Sequence, residues 1–176
     1  MAYEGANAQV STFTDVVNTV LSKDETRVFV TSYGLDESTF GSTAEATVHG
    51  LFNSMIGQGW TLVAATGNNG AFENTQSSSP TVAYPASDPD VFAVGGTTLA
   101  LNANGSFKSE TAWSNGGGGC SSSWAAPTWV TTNSCSGRAL AAPSGVERPL
   151  PWPGAVTLRG FGPSHITRRI VHSFYS

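Results

Sequence analysis

Charge is scarce in this 176-residue chain: 12 acidic and 8 basic side chains make up 11% of it, against about 25% in an ordinary soluble domain. Contact with water must rest on neutral groups, and 22 Ser, 20 Thr and 20 Gly supply them. That usage suits turn-rich exported proteins better than helical cytosolic ones. No run approaches ~18 consecutive apolar residues, so no helix spans a membrane. Clustered Lys or Arg is also missing, which excludes nucleic acid as a partner because phosphates need neutralising. Cys occurs only at 120 and 135 and His only at 49, 165 and 172. Neither set has the spacing of a zinc site, so no metal is assigned. A P-loop, a G-x-G-x-x-G turn and a G-x-S-x-G elbow are all lacking. The start, Met1-Ala2-Tyr3-Glu4-Gly5, has neither the basic nor the apolar region of a signal peptide, and an export signal would lie outside this chain.

Hydrophobic residues at 39% suffice for a core, and the length fits one domain or a piece of one. The charge is unevenly spread. Residues 1–137 hold 11 acids and 3 bases, whereas 138–176 hold 1 acid and 5 arginines together with five of the nine prolines.

Periodicity organises the first part. Phe13, Val16, Val17, Val20 and Leu21 form one helical stripe, with Thr12 and Asp15 spaced as a capping box, which predicts a helix over about 12–23. Arg27 to Tyr33 is β-branched and apolar and reads as a buried strand closed by Gly34. Ser42 and Glu45 are spaced as a second capping box ahead of a stripe of Ala44, Val48, Leu51, Phe52, Met55 and Ile56 that stops at Gly57. Trp60–Ala65 and Val91–Val94 are further buried-strand candidates. His49, one position beyond Val48, reads as an ordinary partly buried or surface residue. Helix and strand in alternation imply crossover units on a parallel sheet, an α/β architecture whose ligands sit beyond the carboxyl ends of the strands. Both of the first two strands end in Gly-containing loops, Ser32-Tyr33-Gly34 and Gly67-Asn68-Asn69-Gly70.

Asn104-Gly105 predicts a hairpin turn and accounts for the Asn104-Gly105-Ser106 sequon. Residues 113–136 read as loop, with Gly116 to Gly119 in a row. Cys120 and Cys135 are either a disulfide, in an oxidising compartment, or two buried thiols in a reducing one; a bridge would gain roughly 3 kcal/mol.

One segment carries chemistry: Ala64-Ala65-Thr66-Gly67-Asn68-Asn69-Gly70, followed by Tyr84-Pro85-Ala86-Ser87 and Val94-Gly95-Gly96-Thr97-Thr98-Leu99. With Ser32-Tyr33-Gly34 and Glu37, Glu110 and Trp113, and Gly117-Gly118-Gly119-Cys120-Ser121, it resembles the sedolisin (serine-carboxyl peptidase) family of the subtilisin-like superfamily. The resemblance covers about residues 3–140, so 1–140 is expected to be the central part of a peptidase domain. It implies a subtilisin-like parallel sheet with flanking helices, here incomplete. It also implies serine-type endopeptidase chemistry on a peptide or protein substrate, a secreted and monomeric whole protein, and calcium in the complete domain with no cofactor in this chain.

Asn68 stands where the family places its oxyanion-hole Asp; subtilisins carry Asn there. Ser32, Tyr33, Gly34 and Gly67 match the segments that pair with an extended substrate, a strand addition. Gly34 would let the peptide approach closely. The Gly117–Gly119 run falls near the cleft by the same resemblance. The family's nucleophilic Ser in Gly-Thr-Ser and its helical Glu/Asp pair match nothing in this sequence, because Thr97-Thr98 belongs to a mid-domain strand and Glu4 and Asp15 are too far apart. The chain alone is therefore expected to be inactive, and residues 141–176 to be a non-matching, disordered or out-of-frame tail. The alternatives are a non-catalytic peptide-binding module and a fragment of a subtilisin-type enzyme.

Overall fold

A computed structural model describes residues 1–128, Cys135 and the strand Arg138–Ala141, the last for its backbone only; the expectation for the tail beyond Ala141 lies outside the described residues. The elements are α1 (Val10–Lys23), β1 (Val28–Thr31), β2 (Leu35–Asp36), α2 (Glu37–Phe40), α3 (Ser42–Gly57), β3 (Thr61–Ala65), β4 (Ala83–Tyr84), β5 (Phe92–Val94), β6 (Thr97–Leu101), β7 (Phe107–Ala112), β8 (Gly119–Ala125) and β9 (Arg138–Ala141). A parallel sheet of order β1-β3-β5 is the centre, as the α/β reading requires. β3 aligns Val63 with Val30 of β1 on one side and with Phe92 of β5 on the other.

The helical stripes form the core. Phe13, Val17 and Val20 of α1 meet Val48, Phe52 and Met55 of α3, and both sets cover Phe29 and Leu62 of the sheet. Val17, Val48, Phe52, Met55 and Leu62 have no exposed surface. Phe13 stacks on Tyr33 at 4.7 Å between ring centroids, and Phe40 meets the Tyr84 ring edge-on at 4.6 Å.

Neither capping box forms. α1 begins at Val10 after Gln9, and the Thr12 hydroxyl donates instead to Asn7 Oδ1 at 2.7 Å, so Asn7 organises the turn before the helix. α3 is preceded by Gly41 at φ 88°, and Glu45 turns inward. The short α2 has the side-chain cap that the longer helices lack: Asp36 Oδ1 accepts the N–H groups of Ser38 and Thr39. The predicted hairpin is β6–β7, turning through Gly105 at φ 79° with Asn102 N–H on Ser106 C=O at 2.8 Å.

One expectation needs correction: the residues predicted as loop over 113–136 include β8, which pairs with β9, where no strand was assigned. Val28, Val30 and Phe92, on strands whose faces a piece of a domain is expected to expose, are 54%, 62% and 50% exposed. α1 and α3 lie against one face of β1-β3-β5, and Val28, Val30 and Phe92 on the other stand half exposed. Parallel sheets are ordinarily covered on both faces, so this bare apolar face should make the isolated chain sticky. Replacing Val30 and Phe92 together by Thr should lower binding of the dye ANS several-fold and delay self-association, while leaving the α1–α3 core intact. Dye binding and light scattering unchanged by the double variant would show that the face is not the sticky surface.

Candidate active site

β1 and β3 run parallel, so the segments that follow Thr31 and Ala65 emerge side by side on one edge of the sheet. Thr66 anchors the second of them: it is buried, its N–H donates to Val94 C=O at 3.1 Å, and its hydroxyl points to the same oxygen at 3.4 Å. The chain then turns through Gly67 at φ 99° and Gly70 at φ 62°, a region that favours Gly. Between them Asn68 stands exposed to solvent. A side-chain amide held beyond a central strand, free of burial, can donate to an incoming oxygen.

The glycine run backs this loop. Gly117 N–H donates to Gly67 C=O at 3.0 Å, and Gly70 N–H donates to Asn115 C=O at 2.9 Å. A Cβ at Gly117 would overlap the Thr66 carbonyl, so only Gly permits this backbone-on-backbone contact.

The Ser32–Gly34 segment is placed beside the loop, with Ser32 exposed. Tyr33 is turned inward: its ring stacks on Phe13 and its hydroxyl donates to Ala8 C=O at 2.9 Å. Its N–H donates to Thr31 Oγ1 at 3.1 Å. Gly34 has an internal reason to be Gly, since a Cβ there would come within 3.1 Å of the Tyr84 carbonyl.

Behind both loops lies a buried acidic layer that the sequence did not announce. Glu37 takes the Ser121 hydroxyl on one oxygen and both the N–H and hydroxyl of Ser122, each at 2.7 Å, on the other. Its own N–H donates to Val82 C=O. Asp88, 2% exposed, accepts the Tyr84 hydroxyl at 2.9 Å, the Asp90 N–H at 3.0 Å and His49 Nδ1 at 3.0 Å. Burial raises the Asp88 carboxyl above its ordinary range, and burial beside Asp88 raises the Tyr84 hydroxyl. His49 also packs on Trp124 at 4.5 Å. Glu45 is 1% exposed with Oε1 unpartnered; burial, with Glu37 and Asp88 nearby, pushes its carboxyl up to about 7.

His49, Asp88 and Asp90 bring potential ligand atoms within 4.8 Å of one another. His49 already shares its Nδ1 with both Asp88 oxygens, and an imidazole with two carboxylates is not the oxygen cage of calcium. This cluster, found among the described residues, does not fit the calcium implied for a complete domain. The structure joins Cys120 to Cys135 with Cα atoms 5.3 Å apart, fastening the start of β8 to a point beyond the chain's last described loop.

Comparison with known proteins agrees with this geometry. The model of the subtilase family, peptidase group S8, matches residues 2–148. The chain belongs to the subtilase family. Sedolisin of Pseudomonas sp. (strain 101) is 30% identical over 147 residues, covering 73% of this chain and 24% of that protein. Kumamolisin of Bacillus sp. (strain MN-32) is 33% identical over 104 residues, covering 56% and 19%. Among solved structures, Pseudomonas sedolisin, a serine-carboxyl proteinase complexed with two molecules of pseudo-iodotyrostatin, superposes with a TM-score of 0.67 at 29% identity, over 79% of this chain and 42% of that one. The chain is thus a sedolisin-like subtilase segment that spans about a quarter or less of the curated relatives.

In this subtilase segment sequence reasoning singled out Asn68, which the structure leaves exposed beyond β3, and did not anticipate the burial of Glu45 and Asp88 or the hydrogen bonds of Glu37. Glu45 could have been found. It falls in register with Val48, Phe52 and Met55 on the buried stripe, a position where a carboxylate is anomalous.

The sign of its pH effect follows. Unfolded, Glu45 titrates near the ordinary 4.5; folded, near 7. Stability from this group is therefore greatest below about pH 4.5, declines as pH rises and levels off above about 7, a total of ~3 kcal/mol at about 1.4 kcal/mol per unit. Glu45→Gln should remove most of that decline. Urea midpoints at pH 4.5 and 8 test it, and a variant that keeps the wild-type difference would refute the assignment.

Proposed function

We propose that this chain forms the middle of the catalytic domain of a secreted serine-type endopeptidase of the serine-carboxyl kind, with Asn68 as an oxyanion-hole donor. The observation that supports this most directly is the Gly67–Gly70 loop, which stands Asn68 in solvent at the carboxyl end of β3. In acyl transfer a tetrahedral oxyanion forms beside the nucleophile, and one preorganised donor is worth roughly 2.7–4 kcal/mol. An Asp in this place must be protonated to donate, whereas the Asn68 amide donates at any pH. At this one group the acidic requirement disappears.

The substrate is an extended peptide lying along Ser32–Gly34 and reaching Gly67–Asn68. The pairing would fall to Ser32 and Gly34, since Tyr33 spends its N–H on Thr31 and its ring on the core. No Gly-Thr-Ser and no Glu/Asp pair at helical spacing is offered by this sequence, so the 176-residue chain binds peptide without cleaving it. Asn68 also favours a second reading, a subtilisin-type enzyme with a His and an Asp in place of the carboxylate pair. The two curated relatives, sedolisin and kumamolisin, favour the first.

An extended peptide titrated into isotopically labelled chain should move the backbone resonances of 32–34 and 66–70 with no product formed. Shifts confined to other surfaces would refute the groove, and turnover that falls in Asn68→Ala would refute the need for absent catalytic groups.

A further inference from the structure

The loop that carries Asn68 is only seven residues long from Thr66 to Phe72, yet it closes on a side chain just beyond it. The Glu73 carboxylate lies directly against Gly67: a Cβ built there would overlap Oε2 and come within 2.6 Å of Cδ. Oε2 is buried and has no hydrogen-bond partner. The main chain of Glu73 is fixed independently. Its N–H donates to Thr81 C=O at 3.3 Å, its C=O lies 3.5 Å from Asn69 Nδ2, and the next residue, Asn74, donates its N–H to Thr81 Oγ1 at 2.7 Å. Phe72 N–H closes the turn on Asn69 C=O at 3.3 Å. The carboxylate is thus delivered from a braced segment into the inside of the loop.

We propose that Glu73 is a positioning residue for the oxyanion donor: its carboxylate, seated against Gly67 inside the Gly67–Gly70 turn, holds the Asn68 and Asn69 amides in place. Successive backbone N–H groups in such a turn make an anion-binding concavity, and here the anion is supplied by the chain itself. Burial raises the Glu73 carboxyl, while the backbone N–H groups of Asn68 and Asn69 act against that rise, as donors to the charged form do. Asp36 is the other acid acting on it, also upward. With 115–117 gripping the loop from outside through Gly67 and Gly70, Glu73 is the inner half of a two-sided clamp. That Asn68 serves an oxyanion rests on the function proposed above; the clamp does not.

The test needs no substrate. In the labelled wild-type chain the Asn68 and Asn69 amide protons should titrate together with pH, following one carboxyl, and this titration should vanish in Glu73→Gln. Glu73→Ala should speed hydrogen exchange at both amides at least ~tenfold, the loss of about one charge-assisted hydrogen bond, with Val17 and Val20 of α1 still protected. Should Glu73→Ala fail to fold, the wild-type titration and its loss in Glu73→Gln decide alone. Amide shifts of Asn68 and Asn69 that do not follow pH, or that titrate unchanged in Glu73→Gln, would overturn the inference. A clamp confirmed in a chain that binds no peptide would leave the inference standing and count against the proposed function only.

Discussion

Strand β3 sits between β1 and β5, and the placement of every candidate functional group depends on that double pairing. Its buried face, Leu62 and Ala64, rests on the α1–α3 core, and its next inward residue, Thr66, is tied to Val94 of β5. Because both neighbours run parallel to it, Ser32 and Asn68 are delivered to one edge rather than to opposite ends. A parallel arrangement needs long crossovers, which is what α2 and α3 provide between β1 and β3. The core and the site are therefore not separable: helix packing fixes β3, and β3 fixes where the loop begins.

The chain is poor in charge, yet it buries carboxyl groups at Glu37, Glu45 and Asp88. Among the described residues no Lys or Arg is paired with them. Lys23 lies over the Tyr3 ring and Arg27 pairs with Asp24 at the surface, both far along the chain from this layer. Hydroxyls and backbone N–H groups serve instead: Ser121 and Ser122 on Glu37, Tyr84 and Asp90 on Asp88, which also meets His49. For Glu45 and Asp88 burial carries a cost of desolvation that protonation relieves. Ser121 and Ser122 are here structural groups and not only solubilising ones.

Both long helices were legible because each buries one stripe, and the parallel sheet followed from their alternation with β-branched runs. The cap assignments failed where local spacing was mistaken for local bonding. Thr12 bonds to Asn7, outside the i, i+3 pattern, and Glu45 turns to the interior, where its Oε1 has no partner. β8 was invisible for a related reason. Its inward residue is Ser121, fully buried not by apolar neighbours but by the carboxylate of Glu37, 84 residues earlier, so hydrophobic alternation never arises. A β-branched run reports what a strand can bury and not what lies above it, and Val28, Val30 and Phe92 accordingly stand half exposed. The loop around Asn68 was recognisable as a motif; its brace, Glu73, looks in sequence like any surface acid.

Glycine shows how composition and site meet. Gly34, Gly67 and Gly117 each occupy a point where a Cβ would strike a group the site needs: the Tyr84 carbonyl, the Glu73 carboxylate and the Thr66 carbonyl. At Gly34 the approach of 3.1 Å is tight but negotiable; at Gly67 the overlap is with the tip of the Glu73 side chain, and at Gly117 it is with backbone that cannot yield. Gly67 is doubly constrained, by that overlap and by its φ of 99°. The loop is thus compressed from both sides by neighbours that are themselves hydrogen-bonded. Under the proposed oxyanion role Asn68 gains from such confinement, because it has little freedom left to lose when the charge appears. In this segment the small residues do not mark flexibility; they let two stretches of backbone and one carboxylate come close enough to hold an exposed amide still.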